Sequence, residues 1–108
     1  MNYFLCTLIP PRKSVRRGIS QIDRDCMKKH ADYWWDLFDK GRVIAFGPVD
    51  DPNGSFGLVI LRLPDVGEPL KVAKLICKND PVHDEIGFTY QISVMPAVVH
   101  HPISRNPR

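Results

Sequence analysis

Apolar positions along this chain switch between the period of a strand and the period of a helix. The run Tyr3-Phe4-Leu5-Cys6-Thr7-Leu8-Ile9 is apolar on both faces and stops at Pro10-Pro11, which predicts a buried strand over Asn2 to Ile9. After a loop, Ser20 and Asp23 form a capping-like pair. Ahead of them lie Ile22, Cys26, Met27, His30, Tyr33, Trp34, Leu37 and Phe38, spaced as one face of a helix that Gly41 ends with a left-handed cap. A second strand from Arg42 to Gly47 leads through Pro48 and the turn-forming run Asp50-Asp51-Pro52-Asn53-Gly54 into a third, Phe56 to Leu63, and the two should form a hairpin. Pro69 opens a second helix with Leu70, Ala73, Ile76 and Cys77 on one face. It closes near Asn79, because Asp80 precedes Pro81 and is steered out of the helical region. From Gly87 to Met95, Phe88, Tyr90, Ile92 and Val94 alternate with Thr89, Gln91 and Ser93, the period of a strand with one wetter face.

The order strand, helix, strand, strand, helix, strand predicts an α+β fold, a ferredoxin-like βαββαβ sandwich. Its four-stranded antiparallel sheet would carry both helices on one face. The domain should occupy residues 1–96, with 97–108 a C-terminal tail containing Pro102, Arg105, Pro107 and Arg108. The first and third strands, central in such a sheet, are apolar on both sides, and two helices cover only one. The expected partner is therefore a second copy, a homodimer through the open sheet face.

Composition narrows the classes. With 108 residues there is room for one core, and 44% hydrophobic and 25% charged residues match an ordinary globular protein. No apolar stretch is long enough to span a membrane and no secretory signal pattern opens the chain, so the expected location is the cytoplasm, without membrane association. Cys6, Cys26 and Cys77, odd in number and set among apolar neighbours, suit buried thiols. The net charge of +3 is carried largely by the cluster Arg12, Lys13, Arg16 and Arg17 and by the tail. Neither is interleaved with aromatics, which argues against nucleic acid.

One titratable residue stands out. His30 falls four residues after Cys26 and three before Tyr33, within the apolar stripe, so its imidazole is aimed inward. A buried ring nitrogen requires an acceptor that fixes its tautomer. Asp80, held extended by Pro81, is the natural candidate. Two readings stay open on these residues, a satisfied structural histidine and a catalytic or ligand-contacting one. Trp34, Phe46 and Phe56 would wall a small organic ligand and the Gly47-Pro48 turn would bring backbone near it, although each also suits core or turn.

Several stretches together resemble the YciI-like (YCII-related domain) family. They are Tyr3-Phe4-Leu5, His30 with Tyr33-Trp34, Gly41-Arg42-Val43, Phe46-Gly47-Pro48-Val49, Asn53-Gly54 with Phe56-Gly57, Asn79-Asp80-Pro81 and Tyr90-Gln91-Ile92. The likeness covers about residues 2–96 in order. It implies a dimeric α+β barrel and an active site formed by His30 and Asp80. One related branch removes chloride from a hydroxylated aromatic ring, and similar barrels include a lactone isomerase. The resulting expectation is an acid/base enzyme of elimination, dehydrochlorination or isomerisation type working without a cofactor. The alternative is a non-catalytic ligand-binding or regulatory dimer that uses the same cleft.

Other constellations are weaker. His83, Asp84, Glu85, His100 and His101 lack the spaced, inward geometry of a zinc site, so no metal is expected. No Gly-rich phosphate loop or nucleophile elbow occurs. RNA-recognition domains share the element order, but Gly54-Ser55-Phe56-Gly57-Leu58-Val59 lacks their leading basic residue and second spaced aromatic.

Overall fold

The computed structural model describes residues 1–11 and 21–102. Ser20, the basic cluster Arg12 to Arg17 and the tail arginines lie outside them. Strand β1 (Asn2–Ile9) is followed by helix α1 (Gln21–Asp39), the hairpin β2 (Val43–Val49) and β3 (Phe56–Leu63), helix α2 (Pro69–Lys78), a short helix α3 (Pro81–Glu85) and strand β4 (Thr89–Met95). The sheet order is β2-β3-β1-β4, and every neighbouring pair is antiparallel. This is the ferredoxin-like α+β arrangement, with β1 and β3 central. Leu5 sits opposite Ile60 on one side and Ser93 on the other.

Alternation along the central strands sorts side chains between the two faces. Phe4, Cys6 and Leu8 of β1 and Val59, Leu61 and Leu63 of β3 are buried under the helices, where Cys26, Trp34, Ala73, Cys77 and Val82 meet them. Their neighbours Tyr3, Leu5, Ile9, Leu58 and Ile60 point the other way and are only partly covered within one chain. All three cysteines are buried free thiols. No helix among the described residues is long and apolar enough to cross a membrane.

Helix α1 ends where Gly41 adopts φ 75°, so that Arg42 N–H bonds Leu37 O (3.0 Å) and Gly41 N–H bonds Phe38 O (3.0 Å). These are the paired bonds of a left-handed cap, and they reverse the chain into β2. Strand β2 runs two residues beyond Gly47 and takes in Pro48, which faces Gly57. Its place at the sheet edge tolerates a residue without an N–H. The pair Gly47-Pro48 is therefore strand, not turn. A register shift between Val43 and Ala45 makes a bulge that lets Val43 and Phe46, three apart, both face the helices. Phe46 then meets Trp35 (5.4 Å between centroids) and Phe38 (6.2 Å), both from α1.

Three expectations need correction. Helix α3 was not anticipated, since five residues are too few to display a period. Leu70 is 40% exposed, because α2 buries side chains only at Ala73 and Cys77, with Ile76 half-covered. Val94 is 64% exposed although it lies opposite Phe4, because the helical layer does not extend over that end of edge strand β4.

Candidate functional site

The local sequence explains how an aspartate comes to be buried here. Helix α2 stops at Asn79, and Pro81 occupies the first position of α3, where its missing N–H costs nothing. Between them Asp80 takes φ −64° and ψ 129°, and its side chain caps α3 by accepting from Val82 N–H at 3.2 Å. The junction between the two helices thus drives a carboxylate into the interior. Asp80 is 1% exposed, the one buried charged or polar residue among those described.

Two further donors from α1 complete the carboxylate's shell. Oδ2 accepts from Trp34 Nε1 at 2.6 Å and faces His30 Nδ1 at 2.7 Å, while Oδ1 takes the Val82 bond. His30 and Trp34 are four apart, so one helical face delivers both rings to the same oxygen. An indole nitrogen only donates and an ionised carboxylate only accepts. The hydrogen-bond pattern therefore assigns the proton of neutral His30 to Nδ1 and leaves the lone pair on Nε2. No lysine or arginine pairs with Asp80 among the described residues, so the imidazole is its single potential cationic partner.

His30 also borders open space. Its side chain is 20% exposed and, with Met27, Ala31 and Trp34, forms the helical wall of a cavity of about 330 Å³. Leu8 and Pro10 from the end of β1, Phe46, Gly47 and Pro48 from β2, Ser55 to Val59 around the start of β3, and Phe88 enclose the rest. All the residues expected around a ligand, Trp34, Phe46, Gly47, Pro48 and Phe56, line this space beside His30. Asp80 does not; it stands behind the histidine. Ser55, the one hydroxyl-bearing side chain in the described lining, donates to Asp50 Oδ1 at 3.1 Å.

Groups around the dyad have shifted titrations. Burial pushes the Cys26 thiol up to about 11, helped by its hydrogen bond to Glu85 Oε2 (3.5 Å). Burial likewise pushes the Tyr33 phenol up to about 12, with the Asp80 charge adding to it; its hydroxyl donates to Ile76 O at 2.5 Å, tying α1 to α2. The Cys77 thiol is raised by its hydrogen bond with Cys6 and then by burial. Both thiols stay protonated near neutral pH, so neither is a ready nucleophile.

The remaining histidines do not converge. His83 Nδ1 lies 3.0 Å from Asp84, Glu85 pairs with Lys29 at 3.3 Å, and His100 packs edge-on against Tyr3. No group of three or more metal-ligating side chains occurs among the described residues. From the sequence Trp34 reads as core or as a wall of the site; its bond to Asp80 and the capping bond from Val82 are not foreseen there. The triplet Asp80-Pro81-Val82 carried that second signal, being a capping residue followed by proline at a helix start.

No model of a known protein family matches the chain, and no curated protein matches it either. Among solved structures, a formyltetrahydrofolate deformylase from Pseudomonas putida KT2440 is similar at 16% identity and a TM-score of 0.40. The likeness covers 86% of this chain, which spans 28% of that one.

Proposed function

We propose that this is a YciI-like acid/base protein in which neutral His30 takes a proton from a small organic substrate through Nε2, while Asp80 orients the ring and stabilises the imidazolium. The observation that carries this reading is the 2.7 Å contact between His30 Nδ1 and Asp80 Oδ2 in a histidine that also lines the cavity. Abstraction of a C–H proton beside a carbonyl would send the electron pair toward the carbonyl oxygen. Return of the proton to a different carbon completes an isomerisation, and departure of chloride from the adjacent carbon completes an elimination. The apolar walls limit water, which strengthens the interaction between imidazolium and carboxylate.

The test is exchange of carbon-bound hydrogen in deuterated water across a panel of uncharged cyclic ketones and lactones, read by mass spectrometry. Wild-type protein should accelerate exchange of at least one compound, and His30→Ala should lower that rate about 10²- to 10⁴-fold, the usual worth of a general base. Exchange no faster than in buffer, or unchanged in His30→Ala, rejects the catalytic reading.

One observation favours the non-catalytic alternative. With the Trp34 N–H held by Asp80 and the Ser55 hydroxyl by Asp50, the described side chains of the lining offer no second donor for an enolate oxygen. Tight ligand binding without exchange would select that reading. On either one, we propose that the protein pairs with a second copy through the sheet face bearing Tyr3, Leu5, Leu58 and Ile60. A mass measured in solution at low micromolar concentration that shows a stable monomer would reject the pairing.

A further inference from the structure

The polar inventory of the cavity bears on what it can hold. Among its described lining residues none is a lysine, arginine, aspartate or glutamate, and the polar side-chain groups are those of His30, Trp34 and Ser55. Trp34 N–H and the Ser55 hydroxyl are already spent on Asp80 and Asp50. Among the described side chains of the lining, this leaves one acceptor for a ligand, His30 Nε2, the ring nitrogen that Asp80 does not hold. An anion entering this space would lose its hydration against apolar walls and meet a lone pair, which is repulsive, so burial of the charge is uncompensated. An uncharged molecule that offers one N–H or O–H would satisfy Nε2 and lose little elsewhere.

Size narrows the class further. An apolar cavity of roughly 150 Å³ holds one benzene. At about 330 Å³ this half-open one is roughly twice as large, room to seat a substituted ring or two fused rings against its walls.

We infer that the site takes an uncharged, largely apolar organic molecule of that size, carrying a single hydrogen-bond donor that meets His30 Nε2, and that it discriminates against carboxylates. This rests on the reading of Nε2 as the open acceptor of the dyad, but it requires no turnover.

The experiment is titration calorimetry at pH 8 with three probes on one ring system: 2-naphthol, its methyl ether and naphthalene-2-carboxylate. Amide spectra localise the binding at Gly47 and Gly57. Naphthol should bind with shifts at those two glycines, the ether about tenfold more weakly for want of the donor, and the carboxylate at least about a hundredfold more weakly. Equal or tighter binding of the carboxylate overturns the inference by showing that a cation reaches the cavity. That arm is needed because Arg12, Lys13, Arg16 and Arg17 lie outside the described residues. Equal binding of naphthol and its ether overturns the donor requirement, and no binding by any probe overturns the class. If the predicted order holds while deuterium exchange is absent, only the catalytic reading falls.

Discussion

Asparagine at position 80 keeps the shape of the side chain and breaks its chemistry. The carboxylate accepts three hydrogen bonds, two on Oδ2 from Trp34 and His30 and one on Oδ1 from Val82. An amide has one accepting oxygen and one donating nitrogen. If the oxygen takes the Oδ2 place, the NH2 group faces Val82 N–H and the cap of α3 is lost. If it takes the Oδ1 place, the NH2 group faces Trp34 N–H, and His30 must move its proton to Nε2 to accept from it. Either way a buried donor is left unpaired at about 1–3 kcal/mol, and the surviving bonds lose their charge assistance. Relief of charge burial works in the other direction. It recovers little, because the three donors already stand in for water around the carboxylate. Asp80→Asn should therefore lose about 2–4 kcal/mol, which lowers a urea midpoint by roughly 1–4 M at a slope of about 1–2 kcal/mol/M. Long-range nitrogen–proton spectra of His30 supply an independent readout. Wild-type protein should show the Nδ1–H tautomer; the variant should keep it where its amide oxygen takes the Oδ2 place and show the Nε2–H form where its amide nitrogen does. A variant within about 0.5 kcal/mol of wild type and with an unchanged tautomer would refute the assignment of Asp80 as the orienting acceptor.

Trp34→Phe keeps an aromatic wall but removes the 2.6 Å donor to Asp80, and a charge-assisted bond of this kind is worth about 1.5–3 kcal/mol; equilibrium unfolding within about 0.5 kcal/mol of wild type would show that the bond does not matter. The Cys26 and Tyr33 values of about 11 and about 12 lie above the ordinary 9.0 and 10.0, so the folded state holds these protons more tightly; their contribution is complete below about pH 9 and is lost as pH rises through 11 and 12. Urea midpoints should fall across that window and fall less in Cys26→Ala, and a midpoint flat to about pH 11 would contradict the shifts. Gly41→Ala forces a side chain into φ 75° and should cost about 1 kcal/mol or more, measured by thermal unfolding; no loss would mean that the α1–β2 reversal relaxes.

Much of this fold is legible in the chain because strong local signals agree. Phe56 to Leu63 has the observed bounds, and Gly41 and Pro69 mark a helix end and a helix start where the structure has them. What escapes is tertiary coverage. Whether Val94 or Leu70 is buried depends on how far a helical layer reaches, which no periodicity encodes. The extension of β2 through Pro48 likewise depends on an edge position that only strand order reveals. The dyad is a mixed case. His30 within an apolar stripe and Asp80 fixed by Pro81 can be paired from sequence, but Trp34 as a donor cannot, because an indole in the same stripe reads equally well as core.

That third partner bears on whether Asp80 serves structure alone. Capping α3 requires one acceptor for Val82 N–H, which a serine or asparagine could provide without placing a charge in the interior. Satisfying a buried indole N–H requires one more acceptor, and a neutral amide oxygen would do. Each need alone could be met by a neutral acceptor, but together they take both oxygens of one side chain, which an amide cannot offer, so the carboxylate serves structure as well. Its charge nevertheless sits on a residue 1% exposed, with no lysine or arginine paired to it among the described residues. The carboxylate is specifically useful to the imidazole, since it alone can hold the Nδ1 proton and also balance a positive charge if Nε2 takes one up. A histidine needed only for packing could sit anywhere along the stripe of α1. This one lines the cavity while its Nδ1 meets Asp80, and on that pairing the proposed proton-exchanging role rests.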